Sequence, residues 1–189
     1  MQAAATGTTR STSVRAASEL DVAAIEALIP VSARALQAAT YTAEQIEAAL
    51  GSVFAVDRRL IADGTYFVAE RDQTIVGCGG WSRRRTLFGG DHGVPRDDSL
   101  LDPLREPARI RAFFVHPACA RQGIGRLLMQ ACERAAIAAG FRTLELVATL
   151  AGEPLYSAFA FRAVERYELP LADGPLLPVV RMLKSLTED

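Results

Sequence analysis

Lysine is almost missing from this chain. Of 21 basic residues only Lys184 is a lysine, and it falls among the last few residues, where chains tend to fray, so Schiff-base chemistry is all but excluded. Histidine is scarce too: His92 and His116 are far apart and lack a neighbouring ligand set, which argues against zinc. Cys78, Cys119 and Cys132 show no C-x-x-C spacing and are odd in number, so reduced thiols in a cytoplasmic protein are expected. No run approaches the ~18 apolar residues of a membrane span. The opening residues MQAAATGTTRSTSVR lack an apolar core and read as a solvated tail rather than a signal or transit peptide. Charge of one sign is also missing: 21 Lys+Arg against 22 Asp+Glu leaves -1, which argues against bulk attraction to nucleic acid and leaves room only for a local basic patch. What is present is ordinary globular material, with 50% hydrophobic and 23% charged residues. At 189 residues the chain fits one domain of the usual ~100–200. We place that domain over 14–184, with short tails at 1–13 and 185–189.

Periodicity gives the order of elements. Ser18 and Asp21 are spaced like a capping box, followed by Val22, Ile25, Leu28 and Ile29 at helical spacing until Pro30 ends or kinks the helix. Thr42 and Gln45 form a cleaner box, opening a short helix that stops at Gly51. The period then changes to that of strands, with 66–69 and 74–78 around the turn 71–73 and the second strand running on to Trp81. Residues 89–107 carry Gly, Pro and Asp without period and read as a long loop. A strand over 110–115 follows, with a bulge expected at Phe113-Phe114. Residues 125–139 form the strongest helix, closed by Gly140. Then come a strand over 143–148, a short helix over 154–159, and strands over 164–169 and 179–183 around a turn at Asp173-Gly174. There is no internal repeat and no second core; the class is α/β.

The informative segment runs from Val115 to Arg126 and joins a strand to the best helix. Gly123 and Gly125 allow a sharp turn and close approach of a ligand, and the amides of Gln122 to Arg126 sit at a helix N-terminus carrying ~+0.5 charge. That is a site for an anion such as a pyrophosphate, with Arg121 and Arg126 beside it. A Walker loop is excluded because no Gly-Lys pair occurs, and the third glycine of a dinucleotide fingerprint is replaced by Leu128.

The run Arg121-Gln122-Gly123-Ile124-Gly125-Arg126-Leu127-Leu128 resembles the acyl-CoA-binding motif of the GNAT superfamily of N-acetyltransferases. The segment from Leu155 through Tyr156 to Phe161 resembles that family's Tyr-containing segment, and the element order over about 14–184 is similar as well. The resemblance implies a single-domain, mostly antiparallel mixed sheet flanked by helices. Its fourth and fifth strands, here those ending at Val115 and covering 143–148, would splay apart. It implies acetyl-CoA as co-substrate, held by Phe113, Phe114, Val115, Arg121, Gln122, Gly123, Ile124, Gly125 and Arg126, with backbone amides near Phe114 and Val115 on the thioester oxygen. Tyr156 would be the general acid for the departing thiolate, since a phenol near pKa ~10 keeps its proton at neutral pH. The chain departs from the family pattern at Ala120, Thr149 and Ala160.

No general base is assigned: 109–115 contain no acid, Glu145 reads as solvated or paired with Arg111, and Glu70, Asp91 and His116 are weaker options. Arg83, Arg84 and Arg85 beside Trp81 form either a solvated face or a site for a carboxylate-bearing acceptor. The expected activity is acetyl transfer to a primary amine on a small molecule, without metal, nucleic acid or membrane. A protein or peptide acceptor and a non-catalytic acyl-CoA-binding module stay open as alternatives, and a homodimer is compatible with the sequence.

Overall fold

The computed structural model describes residues 11–91, 96–171 and 174–186. Seven strands form one sheet in the order β1-β2-β3-β4-β5-β7-β6. They are β1 (Ser13–Ala16), β2 (Tyr66–Arg71), β3 (Thr74–Ser82), β4 (Ala108–Val115), β5 (Thr143–Thr149), β6 (Arg162–Pro170) and β7 (Leu176–Ser185). Every neighbouring pair is antiparallel except β4 and β5, which run parallel. Their ladder holds only Ala108 against Leu144 and Arg109 against Glu145, so the strands part beyond Arg109. The expected splay is there.

A bulge lies on the parting strand. Between Cys78 and Gly80 of β3, β4 advances three residues from Arg111 to Phe114, and Ala112 takes the left-handed φ of 55°. The extra residue is therefore at Ala112-Phe113, one position before the expected Phe113-Phe114. Packing decides the shift. The Phe113 ring lies over Gly79, where a Cβ would come within 2.7 Å of it.

Among the described residues five α-helices accompany the sheet: α1 (Val22–Leu36), α2 (Ala43–Ala49), α3 (Arg58–Ala62), α4 (Ile124–Ala138) and α5 (Glu153–Ser157). Pro30 does not end α1, which continues to Leu36. A proline inside a helix costs roughly 3 kcal/mol, and burial of Ile29, Ser32 and Ala33 around it offsets that cost. Thr42 caps α2 reciprocally with Gln45, as spacing predicts, at 3.2 and 2.9 Å. The β2–β3 turn uses Asp72 and Gln73 with positive φ, and Gly140 closes α4 at φ 88°. The turn read at Asp173-Gly174 falls partly on Asp173, outside the described residues.

Two elements were not foreseen. β1 pairs with β2 from Ser13 to Ala16, and α3 is capped by the Asp57 carboxylate, which accepts from the Arg59 N–H at 3.1 Å. Lys184 is not in a frayed end; it sits in β7 opposite Leu144 and pairs with Glu133 at 2.5 Å. The core lies on both sides of the sheet. One cluster joins α1 and α2 to Phe114, Leu169 and Leu177, and another joins α4 to Trp81, Leu144 and Met182.

Candidate active site

The segment after β4 makes one tight turn before α4. The His116 ring accepts from the Ala118 N–H at 3.3 Å and its carbonyl from the Cys119 N–H at 2.8 Å, so His116 serves the turn. Gly123 then caps α4 at φ 84°, a left-handed conformation that glycine adopts without strain. The first intrahelical bond runs from the Leu127 N–H to the Gly123 carbonyl at 3.0 Å. The N–H groups of Ile124, Gly125 and Arg126 therefore have no partner within the helix. They converge on the helix end with the exposed Arg121 and Arg126 beside them, which suits a diphosphate.

These groups open onto a cavity of about 770 Å³ that passes through the gap between β4 and β5. Phe113, Phe114, Val115, Arg121, Gly123, Ile124, Gly125, Arg126 and Tyr156 all line it. Gln122 does not. Its side chain is spent on the protein, accepting from Arg71 at 2.7 Å and donating to the Ala118 carbonyl at 2.9 Å. At the Val115 end the backbone N–H donates to Ser32 Oγ of α1 at 3.2 Å, so this donor too has a partner within the fold.

Tyr156 stands on α5 with its ring edge-on to Phe113 and Phe161, at centroid distances of 6.2 and 6.0 Å. Burial, reinforced by the nearby Cys132, pushes its phenol well above the ordinary 10. The proton is thus retained at any physiological pH. Two departures from the family pattern have local accounts. Thr149 Oγ1 accepts from the Gly152 N–H at 3.1 Å, fastening the turn into α5. Ala160 takes φ 64°, a conformation where glycine would be unstrained.

The cavity continues to residues that sequence reading did not select. Ser32 comes from α1 and Gln37 from its C-cap, Phe54 from the segment after α2, Phe88 from the stretch just before the long loop, and Leu169 and Leu177 from the β6–β7 pair. The available signal was Ser32, a polar residue on the inward stripe of an apolar helix. Among the described lining residues there is no Asp, Glu, His or Lys. Arg111 lines the cavity but is engaged: it pairs with Asp57 at 2.8 Å and donates to the carbonyls of Thr86, at 3.3 Å, and Gly89. Burial lowers its pKa while Asp57 raises it.

The remaining candidates lie elsewhere. Glu145 is buried but pairs with Arg109 and Arg181 rather than Arg111. Glu70 pairs with Arg15 at 3.0 Å, and Asp91 accepts from the Arg58 N–H at 2.9 Å. Two of the three arginines of the run are spent within the fold, and none of the three lines the cavity. Arg84 chelates Asp63 at 2.6 and 2.7 Å and Arg85 pairs with Glu106. Among the described residues no cluster could hold a metal, and no helix is long and apolar enough to cross a membrane.

The sequence model of the Acetyltransferase (GNAT) family matches residues 32–161. No curated protein matches the sequence. Among solved structures, the GCN5-related N-acetyltransferase from Rhodopseudomonas palustris is similar with a TM-score of 0.69 at 23% identity, over 93% of this chain and 97% of that one. The PaiA N-acetyltransferase from Thermoplasma acidophilum, solved with coenzyme A, has a TM-score of 0.63 at 16% identity, over 93% and 99% of the two chains. yncA of Salmonella typhimurium, solved with its cofactor acetyl-CoA, has a TM-score of 0.60 at 16% identity, over 94% and 95%. At these identities the likeness is one of fold.

Proposed function

The chain belongs to the GNAT family of acetyltransferases, whose co-substrate is acetyl-CoA, and from that premise we propose that it moves an acetyl group directly to a primary amine on a small molecule. The observation that carries this reading is the continuous cavity running from the N-terminus of α4, past Tyr156, to α1. The amides of Ile124, Gly125 and Arg126, with Arg121 and Arg126, bind the diphosphate. The walls of β4 and β5 hold the pantetheine arm in the gap where their ladder ends. The Val115 N–H at the end of β4 polarises the thioester carbonyl when it exchanges Ser32 Oγ for that oxygen.

The amine nitrogen attacks the carbonyl carbon, forming the C–N bond as the C–S bond breaks. Tyr156 gives its phenolic proton to the departing thiolate and recovers one from solvent, into which the amine has released its own. No side chain is assigned as base, so the amine reacts in its neutral form.

The test is incubation of the full chain with acetyl-CoA and an amine panel, reading released thiol and acetylated amine by mass. Equimolar thiol and acetylamine are expected. Tight acetyl-CoA binding without either product would overturn the enzymatic reading in favour of a binding module.

A further inference from the structure

We propose that Tyr66, a fully buried phenol outside the cavity lining, is a positioning residue for acetyl transfer: it pins the β4 bulge that turns the Val115 N–H toward the thioester. This rests on the acetyltransferase reading of the cavity, in which that N–H polarises the thioester carbonyl. Cys78 and Gly80 of β3 face Phe114 and Arg111, so β4 carries one residue more than its partner over this stretch. One extra residue inverts the alternation of a strand beyond it. The result is visible at the strand end. The His116 N–H donates back to the Val76 carbonyl of β3 at 2.9 Å, whereas the Val115 N–H faces away from β3, toward Ser32. Without the bulge the Val115 N–H would turn to β3 and leave the cavity.

Each residue of the bulge has its own anchor. Arg111 is held by Asp57 at 2.8 Å. The Phe113 ring lies over Gly79, and the Tyr66 ring lies over Gly80, where a Cβ would come within 2.6 Å of it. Between Arg111 and Phe113, Ala112 takes its φ of 55°, and its carbonyl accepts from Tyr66 Oη at 3.2 Å. Cys78 Sγ lies 3.3 Å from the same phenol oxygen and 3.9 Å from that carbonyl. A carbonyl oxygen is a better acceptor than a thiol sulfur, so the phenolic proton goes to Ala112. Burial holds the Tyr66 phenol well above 10, which keeps the donor in place at any physiological pH.

Ala112 is where the bulge stores its strain. A left-handed alanine and a buried carbonyl that loses its donor carry costs of similar size, so the phenol decides whether the bulge keeps its form. Tyr66→Phe removes the donor and keeps the ring over Gly80. Ala112→Gly removes the strain instead, because glycine adopts a φ near that value freely. The two substitutions act on opposite sides of one balance, so the second compensates for the first.

The experiment measures thiol release from acetyl-CoA by the full chain, using the fastest amine of a panel of alkylamines, arylalkylamines, diamines and amino acids. Beside it stands the Kd for coenzyme A, which has no thioester oxygen. Expected for Tyr66→Phe is a kcat at least ~10-fold below wild type, part of the ~10²–10³ that one oxyanion donor carries, with the Kd for coenzyme A within ~2-fold. Tyr66→Phe combined with Ala112→Gly should regain most of that kcat. A packing role alone would lower the Tm of Tyr66→Phe and leave its kcat intact. A kcat for Tyr66→Phe within ~2-fold of wild type, or a loss that Ala112→Gly does not relieve, overturns the assignment of Tyr66 and leaves acetyl transfer standing. Absence of thiol release by the wild type with every amine overturns the acetyltransferase reading on which the assignment rests.

Discussion

The backbone N–H of Val115 donates to Ser32 Oγ at 3.2 Å, joining the free end of β4 to a helix 83 residues earlier in the chain. If this N–H also serves the thioester, Ser32 competes with the ligand for it. Ser32→Ala removes the competitor. The variant should bind acetyl-CoA about 2–10-fold more tightly while its Tm falls by about 2–4 °C, from loss of roughly 1 kcal/mol. Titration calorimetry and a thermal melt read both; unchanged affinity would take Val115 out of the acyl-CoA site.

Tyr156→Phe keeps the ring and its edge contacts with Phe113 and Phe161. With the proton donor gone, kcat should fall ~10²–10⁴-fold while the KM for acetyl-CoA changes little. Because burial raises the phenol, the wild-type rate should show no falling limb from Tyr156 below about pH 10. Turnover within a few-fold of wild type would remove Tyr156 from the mechanism.

Gly123 and Gly125 should answer differently to a side chain. At Gly123 a Cβ meets nothing within 4 Å, but φ is 84°, so Gly123→Val strains the backbone by ~1–2 kcal/mol. The loop should then abandon its conformation, weakening acetyl-CoA at least ~10-fold. At Gly125 a Cβ lies 3.2 Å from Leu155, so Gly125→Val presses on α5 beside Tyr156 and should lower kcat as well. Equal kcat losses in the two variants would contradict this division.

The three thiols are unequal. Burial pushes Cys78 up to about 12 and Cys132 upward too, whereas the half-buried Cys119 borders the cavity. In native protein a thiol reagent should titrate one cysteine quickly, and acetyl-CoA should slow that reaction. All three should react after denaturation. Two fast thiols in native protein would count against the packing around Cys78 and Cys132.

Asp21 couples stability to acid. Its carboxylate accepts from Arg15 at 2.8 and 2.9 Å and from Ser18, which holds its pKa well below 3.8. A depressed carboxylate stabilises the fold above its unfolded pKa, and that stability is lost as pH falls through the folded value. Asp21→Asn should therefore cost about 1–2 kcal/mol at pH 7, the exposure of Arg15 keeping the figure modest, and roughly half of that or less at pH 2. Urea unfolding of wild type and variant at both pH values gives the comparison.

Much of this molecule was legible residue by residue. The Thr42–Gln45 box, the Asp72-Gln73 turn, Gly123 and Gly140 act through their own backbone conformation or through partners a few positions away. Spacing alone therefore locates α2, the β2–β3 hairpin and both ends of α4. The same local rules brought out the Gly123–Gly125 turn and the Tyr156 helix, the two halves of the candidate site.

Local rules missed what distant packing decided. β1 exists because β2 offers it an edge, and α1 runs through Pro30 because burial on either side outweighs one absent hydrogen bond. The bulge moves to Ala112 because Phe113 needs the space over Gly79. Asp57 meets Arg111, and Ser32 meets Val115, only once α1, α3 and β4 are stacked, so neither pair has a signature in spacing. The acceptor end of the cavity is of this second kind. Its walls come from separate stretches of chain, each reading as ordinary core, and only their packing brings them around one cavity.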